Sequence, residues 1–312
     1  MDWDDLRFFL ELARVKRLNQ AGKRLGVDHT TVARRIEQLE GALGCRLFES
    51  TAEGYELTDE GHRLLEHAEA IEGNIALLRE SAVRKGGRVT GTVRIGTPEG
   101  FGTLFLTPRL GPLLEEHPGI NVELLTLPRY PSLAQREADM IVTLDPPQQG
   151  RYIASRLAEY TYGVFASEEY LRTHAPIRCK ADLAGHRFVG YIDDLLLSPQ
   201  LHYLDELGLE YPLRFRSSGM LAQLSAVRAG LGISALAHYM VDGSGLAPVL
   251  PREVAWRRTF WLATHADAFR LRRIRAVWDF VRRTVESSAA IFLPPDAQEA
   301  TRVPRARGRG AA

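Results

Sequence analysis

Apolar side chains recur at Val32, Ile36, Leu39 and Leu43, within and just beyond "GVDHTTVARRIEQLE" at 26–40, spaced 4, 3 and 4 apart. That spacing puts them on one stripe of an α-helix. Thr30, Arg34 and Glu37 fall on the opposite side, and His29, Thr31 and Ala33 sit near the helix start. Asp28 is placed to cap this helix, and Gly26 to end the one before it. Upstream, "MDWDDLRFFLELARVK" carries Leu6, Phe9, Leu10 and Ala13 at helical spacing. "RLNQAGKRLGV" turns Ala21, Leu25 and Val27 inward, with Asn19 as its expected N-cap. A helix, a short glycine-containing turn and a second helix is the spacing of a helix-turn-helix. In that motif the second helix enters the DNA major groove. The same spacing also fits an amphipathic helix with a solvated polar face, so periodicity alone leaves both readings open.

The pattern changes downstream. In "CRLFESTAEGYELTDEG" two short apolar pieces, Leu47–Phe48 and Tyr55–Leu57, flank Ala52-Glu53-Gly54, which predicts a β-hairpin. Thr58 then starts a long helix. Gly61, Leu64, Ala68, Ile71, Ile75, Leu78 and Ala82 are spaced alternately 3 and 4 apart along it. That is a heptad seam, expected to pair two copies of the chain. The competing reading is a helix lying on its own domain. Gly86–Gly87 breaks the pattern, and strands then alternate with helices. "TVRIGT", "INVELLTL", "ADMIVTL", "RFVGYI", "LGISAL" and "RTFWLAT" read as strands. The region near 104–117, "MLAQLSAVRAG" and "RLRRIRAVWDFVRRTVE" read as helices. The expectation is a parallel α/β sheet covered on both faces.

Composition narrows the class. The 312 residues, 45% hydrophobic and 25% charged, have a net charge of +1. Any basic patch must therefore be local. Between Arg14 and Arg46, eight basic residues stand against three acidic ones, a net of +5 confined to the two predicted helices. No apolar run has the length of a membrane span, and the first residues lack the regions of a signal peptide. A cytoplasmic protein is expected. Cys45 and Cys179, far apart, form no disulfide framework; Cys179 has no partner nearby in sequence and reads as a small buried hydrophobe. Gly-rich phosphate loops, paired metal-ligand cysteines and nucleophile elbows are all missing from the sequence, so neither an enzyme nor a cofactor is expected.

The order of these motifs resembles the LysR-type transcriptional regulators. "DLRFFLELA", then Ala21, Leu25, Gly26 and Val27, then "TTVARRIEQLEGALGCRLFE" and "GYELTDEG" carry the likeness. "SLAQREADMIV", "YGVFASEEYL" and "AVRAGLGISAL" carry it more loosely in the second half. The resemblance implies an α/β protein with a winged helix-turn-helix over 1–57 and a linker and dimerisation helix over 58–86. A two-lobed effector domain like the periplasmic binding proteins would follow over 87–293. Its first lobe would hold about 91–163 and 266–293, its second about 164–265, and a basic, disordered tail would fill 294–312. Implied partners are double-stranded DNA with a two-fold symmetric site, a small-molecule effector and a second copy of the chain, as a dimer or tetramer. A solute-binding or enzymatic α/β protein with an accessory helical module is the reading from another class.

The candidate site residues follow from this frame. His29, Thr30, Thr31, Ala33 and Arg34, with Ser50 of the wing, are placed at DNA. The wing departs from the family's usual basic character, having Ser50 and Glu53. Arg35 turns toward the buried side, where an ion pair with an acid is expected. An effector in such a fold sits at the carboxyl ends of strands. Thr97, Glu99, Gly100 and Phe101 form one such edge, Ser217 and Ser218 another, where one of the two serines is expected as an N-cap, and Tyr191 a third. Glu99 there opposes an anionic ligand, pairs with a cationic one, or complements the dipole of its own helix. Leu64, Ala68, Ile71, Ile75 and Leu78 are the expected dimer seam.

Overall fold

The computed structural model describes residues 2–52, 54–82, 88–126, 133, 136–147, 150–196 and 198–293. Glu53 of the wing, the Gly86–Gly87 boundary and the basic tail at 294–312 lie outside the described residues.

Three helices open the chain: α1 (Trp3–Val15), α2 (Leu18–Leu25) and α3 (His29–Leu43). Asp2 and Asp5 form a capping box at the start of α1. The Asp28 carboxylate accepts from the Thr30 N–H and starts α3, while Gly26 and Gly44 end α2 and α3 in the left-handed region at φ +72° and +70°. Asn19 is not the cap of α2: Arg17 holds that position, two residues earlier, and its side chain makes no capping hydrogen bond. Val32, Ile36 and Leu39 enter a core with Phe9, Leu12 and Ala21. Leu43 and Val27, expected inside, are exposed, because each lies beside a terminating glycine where the chain leaves the small core. β1 (Phe48–Thr51) and β2 (Gly54–Leu57) make the antiparallel wing.

α4 (Asp59–Ala82) follows, and two domains share it. Gly61 is a glycine for a steric reason: a Cβ there would lie 2.2 Å from the Leu47 carbonyl oxygen. Ala68 is buried in the winged domain's own core, with Leu64 and Ile71 packed on it. At these three positions the stripe packs, within the single chain, on the winged domain. The winged domain supplies enough apolar surface to cover half the stripe. Further along, Ala76 and Leu77 pack on the effector domain's core, and Gly73 admits the Asp267 side chain. Ile75 and Leu78 stand exposed.

The second half begins with β3 (Thr90–Gly96), a short π-helical segment at Phe101–Leu106, α5 (Gly111–Glu116), β4 (Gly119–Leu125) and β5 (Met140–Thr143). β3 pairs in parallel with both β4 and β5. β6 (Tyr152–Ser167) is a 16-residue strand, followed by α6 (Glu168–Thr173) and the parallel pair β7 (Phe188–Tyr191) and β8 (Leu213–Ser217). Then come α7 (Met220–Arg228), β9 (Ser234–Ala237), α8 (His238–Val241), β10 (Leu246–Val249), β11 (Ala255–His265), α9 (Ala266–Phe269), α10 (Arg272–Ser287) and α11 (Ala289–Phe292). The main sheet runs β10-β6-β11-β5-β3-β4, with β9 also on β6. It is mixed rather than parallel, since β6 pairs antiparallel with β9, β10 and β11. β6 pairs with β9 and β10 at its far end and with β11 along its length, while β11 reaches β5. These two strands therefore run from one lobe into the other.

Candidate nucleic-acid interface and ligand cleft

Arg34 and Thr30 are exposed on α3, as the stripe requires, and Thr31 and Ala33 are half-buried at its flanks. Thr30 is engaged locally: its N–H and its hydroxyl both donate to Asp28, which holds that carboxyl below its usual value. Arg35 bonds Asp5 at 2.9 Å and Asp2 at 3.3 Å and lies over the Phe8 ring. Lys16 pairs with Glu56, Arg24 with Glu11 and Arg14 with Glu72. Half of the eight basic residues are thus neutralised. Arg17, Lys23, Arg34 and Arg46 have no ion pair among the described residues. A groove runs between the start of α2, the start of α3 and the wing, lined by Arg17, Asn19, Gln20, His29, Gly54 and Tyr55. Arg17, Asn19 and Gln20 were not among the expected contacts. Their signal was available as the polar first turn of α2. Ser50 is exposed on β1 opposite Tyr55.

The second feature is a cavity of about 270 Å³ between the lobes. Of the residues proposed for the effector, Glu99, Gly100, Tyr191 and Ser218 line it. Thr97, Phe101 and Ser217 are not among its lining residues, and each has a physical reason. Thr97 is 1% exposed, packed against Gly102, where a Cβ would meet its Oγ1 at 2.1 Å. Phe101 is fully buried among Phe105, Phe260, Phe292 and Tyr239. Ser217 turns its hydroxyl back to accept from the Gly219 N–H at 3.1 Å. Neither serine is the N-cap of α7; Gly219 occupies that position.

Glu99 caps α7 instead, from the other lobe. Its Oε2 accepts from the Leu221 N–H at 3.2 Å, across 122 residues of sequence. Gly219 makes room for it, since a Cβ there would lie 2.9 Å from that oxygen. Around this carboxylate stand Tyr160, Tyr162, Tyr239, Met220 and Met240, none of them picked out from the sequence. The cluster "EYTYG" at 159–163 was the available signal. Burial pushes the Tyr162 phenol up to about 12 and holds that of the neighbouring Tyr203 well above its usual value. Both stay neutral, and Tyr162, which lines the cavity, presents a phenol there rather than a charge.

Residues 3–62 match the family model described as "Bacterial regulatory helix-turn-helix protein, lysR family", and residues 86–286, more than half of the chain, match "LysR substrate binding domain". The chain belongs to the LysR family. This LysR-type chain is a transcriptional regulator with a helix-turn-helix DNA-binding domain and an effector-binding domain, not an enzyme. It is 27% identical to the Mau operon transcriptional activator of Paracoccus denitrificans over 84% of this chain and 89% of that one. It is 24% identical to the regulator CrgA of Neisseria meningitidis serogroup C over 89% and 95%. The fold is shared with the solved structure of Neisseria meningitidis CrgA, at TM-score 0.55 and 22% identity over 91% and 98% of the two chains. It is also shared with ArgP of Mycobacterium tuberculosis, at TM-score 0.64 and 17% identity over 91% and 97%. No helix among the described residues is long and apolar enough to cross a membrane. Cys45 is half-buried and Cys179 is exposed, which corrects the expectation that Cys179 is buried.

In this LysR-type protein the two functional regions meet along α4. Arg14 of α1 forks onto Glu72, with Nη1–Oε1 at 3.3 Å and Nη2–Oε2 at 2.5 Å. Arg136 of the effector domain reaches the same carboxylate at 2.9 Å. Burial works against the Arg14 guanidinium, but Glu72 and then Glu11 outweigh it and hold its pKa above the usual value. For Arg136 burial prevails over Glu72 and the pKa falls. Beside them Glu69 faces His265. Burial raises the Glu69 pKa, and His265 with Arg136 and Arg14 brings it below the usual value.

Proposed function

We propose that this regulator works in the cytoplasm as a homo-oligomer that reads a two-fold symmetric DNA site with α3, under the control of a small molecule held between its lobes. The observation that carries the DNA reading is Arg34. It projects from the exposed face of α3, beside the groove that Arg17 and His29 line, while Arg35 next to it is tied down by two aspartates. An arginine so placed can bind guanine with two hydrogen bonds or grip a phosphate. His29, Thr30, Thr31 and Ala33 flank it, and Ser50 supplies a neutral contact from the wing. Arg34→Ala is expected to weaken binding to a genomic fragment retained by the parent by about 5- to 150-fold, or about 1–3 kcal/mol, with the fold intact. Fluorescence anisotropy at matched salt measures it, and unchanged affinity removes Arg34 from the interface.

The oligomer reading rests on the far half of α4, where Ile75 is 41% and Leu78 66% exposed. A second copy covers them in this reading. Both are exposed in the single chain, so aspartate there is expected to cost the fold little. Ile75→Asp with Leu78→Asp is expected to keep the parent's melting temperature, separate the copies in sedimentation and lower operator affinity about a hundredfold or more through lost tethering. A variant that stays associated and binds as the parent does would show that other surfaces hold the copies.

A further inference from the structure

We infer that the cleft takes an organic cation, a protonated amine on a compact apolar body. The inference rests on the reading of the cleft as the effector site and names the chemistry of its ligand. Helix N-termini attract anions through their unbonded N–H groups. In this cleft that attraction is already met from within the chain. Glu99 reaches from the first lobe and its carboxylate takes the Leu221 N–H of α7. Gly219 lies against the same carboxylate, where a Cβ would come within 2.9 Å of Oε2. An anionic ligand would have to displace Glu99 and then sit beside its charge.

The rest of the wall supports the same sign. Among the described residues that line the cavity, Glu99 carries the only formal charge, and no lysine, arginine or histidine faces it. Tyr160, Tyr162, Tyr191 and Tyr239 surround it with phenols, and Met220 and Met240 add polarisable sulfur. Aromatic rings favour a cation over an anion, and phenol oxygens accept from an ammonium. The volume, about 270 Å³, lies just below the usual range for small-molecule sites, so the body must be small. A single carboxylate, several rings and a short apolar cavity fit one ammonium group on a ring or short chain. The carboxylate also sits at the joint between lobes, so a cation drawn to it pulls on both α7 and the start of the Phe101–Leu106 turn.

The test titrates the full-length protein with benzylamine, benzyl alcohol and benzoate, three probes of nearly equal size whose heads are cationic, neutral and anionic. Calorimetry at neutral pH reads each affinity. Benzylamine is expected to bind about tenfold or more tighter than benzyl alcohol, with benzoate weakest. Glu99→Gln keeps an oxygen for the Leu221 N–H and removes the charge. It is expected to weaken benzylamine about tenfold or more and benzyl alcohol much less. Melting of the unliganded variant checks its fold. If that variant does not fold, the order of the three probes on the parent decides alone. Benzoate binding tightest, or an order that Glu99→Gln leaves intact, overturns the cation while the cleft stands as the binding site. Binding of none of the three overturns both.

Discussion

Glu72→Ala is expected to destabilise the protein by about 3 kcal/mol or more, a large share of a domain's net stability. The Arg14 side chain is only 4% exposed, and Glu72 is its forked partner. Removing the carboxylate leaves a buried guanidinium whose remaining ion pair among the described residues is with Glu11, at 3.1 Å. Breaking such a pair from one side costs about 3–5 kcal/mol, and the remaining Glu11 contact puts this case at the lower end. The double change Glu72→Leu with Arg14→Leu removes both charges and is expected to recover most of the loss, because a buried ion pair adds little over apolar groups of similar size. Urea unfolding of the parent, the single and the double variants measures all three. A single variant within about 0.5 kcal/mol of the parent contradicts this account of the junction. Because Arg136 shares the same carboxylate, the effect should reach both domains: the operator affinity of Glu72→Ala should lose its dependence on the effector before it loses its magnitude.

Phe101→Ala is expected to cost about 3–5 kcal/mol in the effector domain, the range for emptying a large aromatic from a core. Its ring lies 5.0 Å from that of Phe260 and 5.2 Å from that of Phe105, with Phe292 and Tyr239 around it. Phe101→Leu should cost clearly less, since it keeps most of the volume. Differential scanning calorimetry separates a core role from a ligand role. A core residue lowers the melting temperature of the unliganded protein. A ligand contact lowers affinity and leaves that temperature in place, and that second outcome would return Phe101 to the cleft wall.

These two residues show how far the sequence can be read. The α3 stripe was legible because three buried positions at helical spacing have no other explanation. The seam on α4 was legible as a stripe but not as to its cover. A heptad records that something apolar lies against it, and in the single chain Ala68 is buried while Leu78 is exposed. β6 escaped notice because its faces change along its length. Its first half alternates in exposure and its second half is buried on both sides. The capping of α7 by Glu99 joins residues 122 positions apart, and nothing in the local pattern of either segment points to the other. Thr97 and Phe101 were drawn to the cleft by their neighbours in sequence. Pro98, Glu99 and Gly100 line the cavity, while Thr97 before them and Phe101 after them turn into the core.

β6 and β11 carry one more consequence. They are hydrogen-bonded over eleven residue pairs, with one shift of register between Phe260 and Trp261. Twisted strands resist torsion as a ribbon does. Because both strands belong to both lobes, one lobe can turn against the other only by twisting or bending this paired ribbon. A rearrangement brought about by an effector would then be a continuous deformation of hydrogen-bonded strands and not the refolding of a segment.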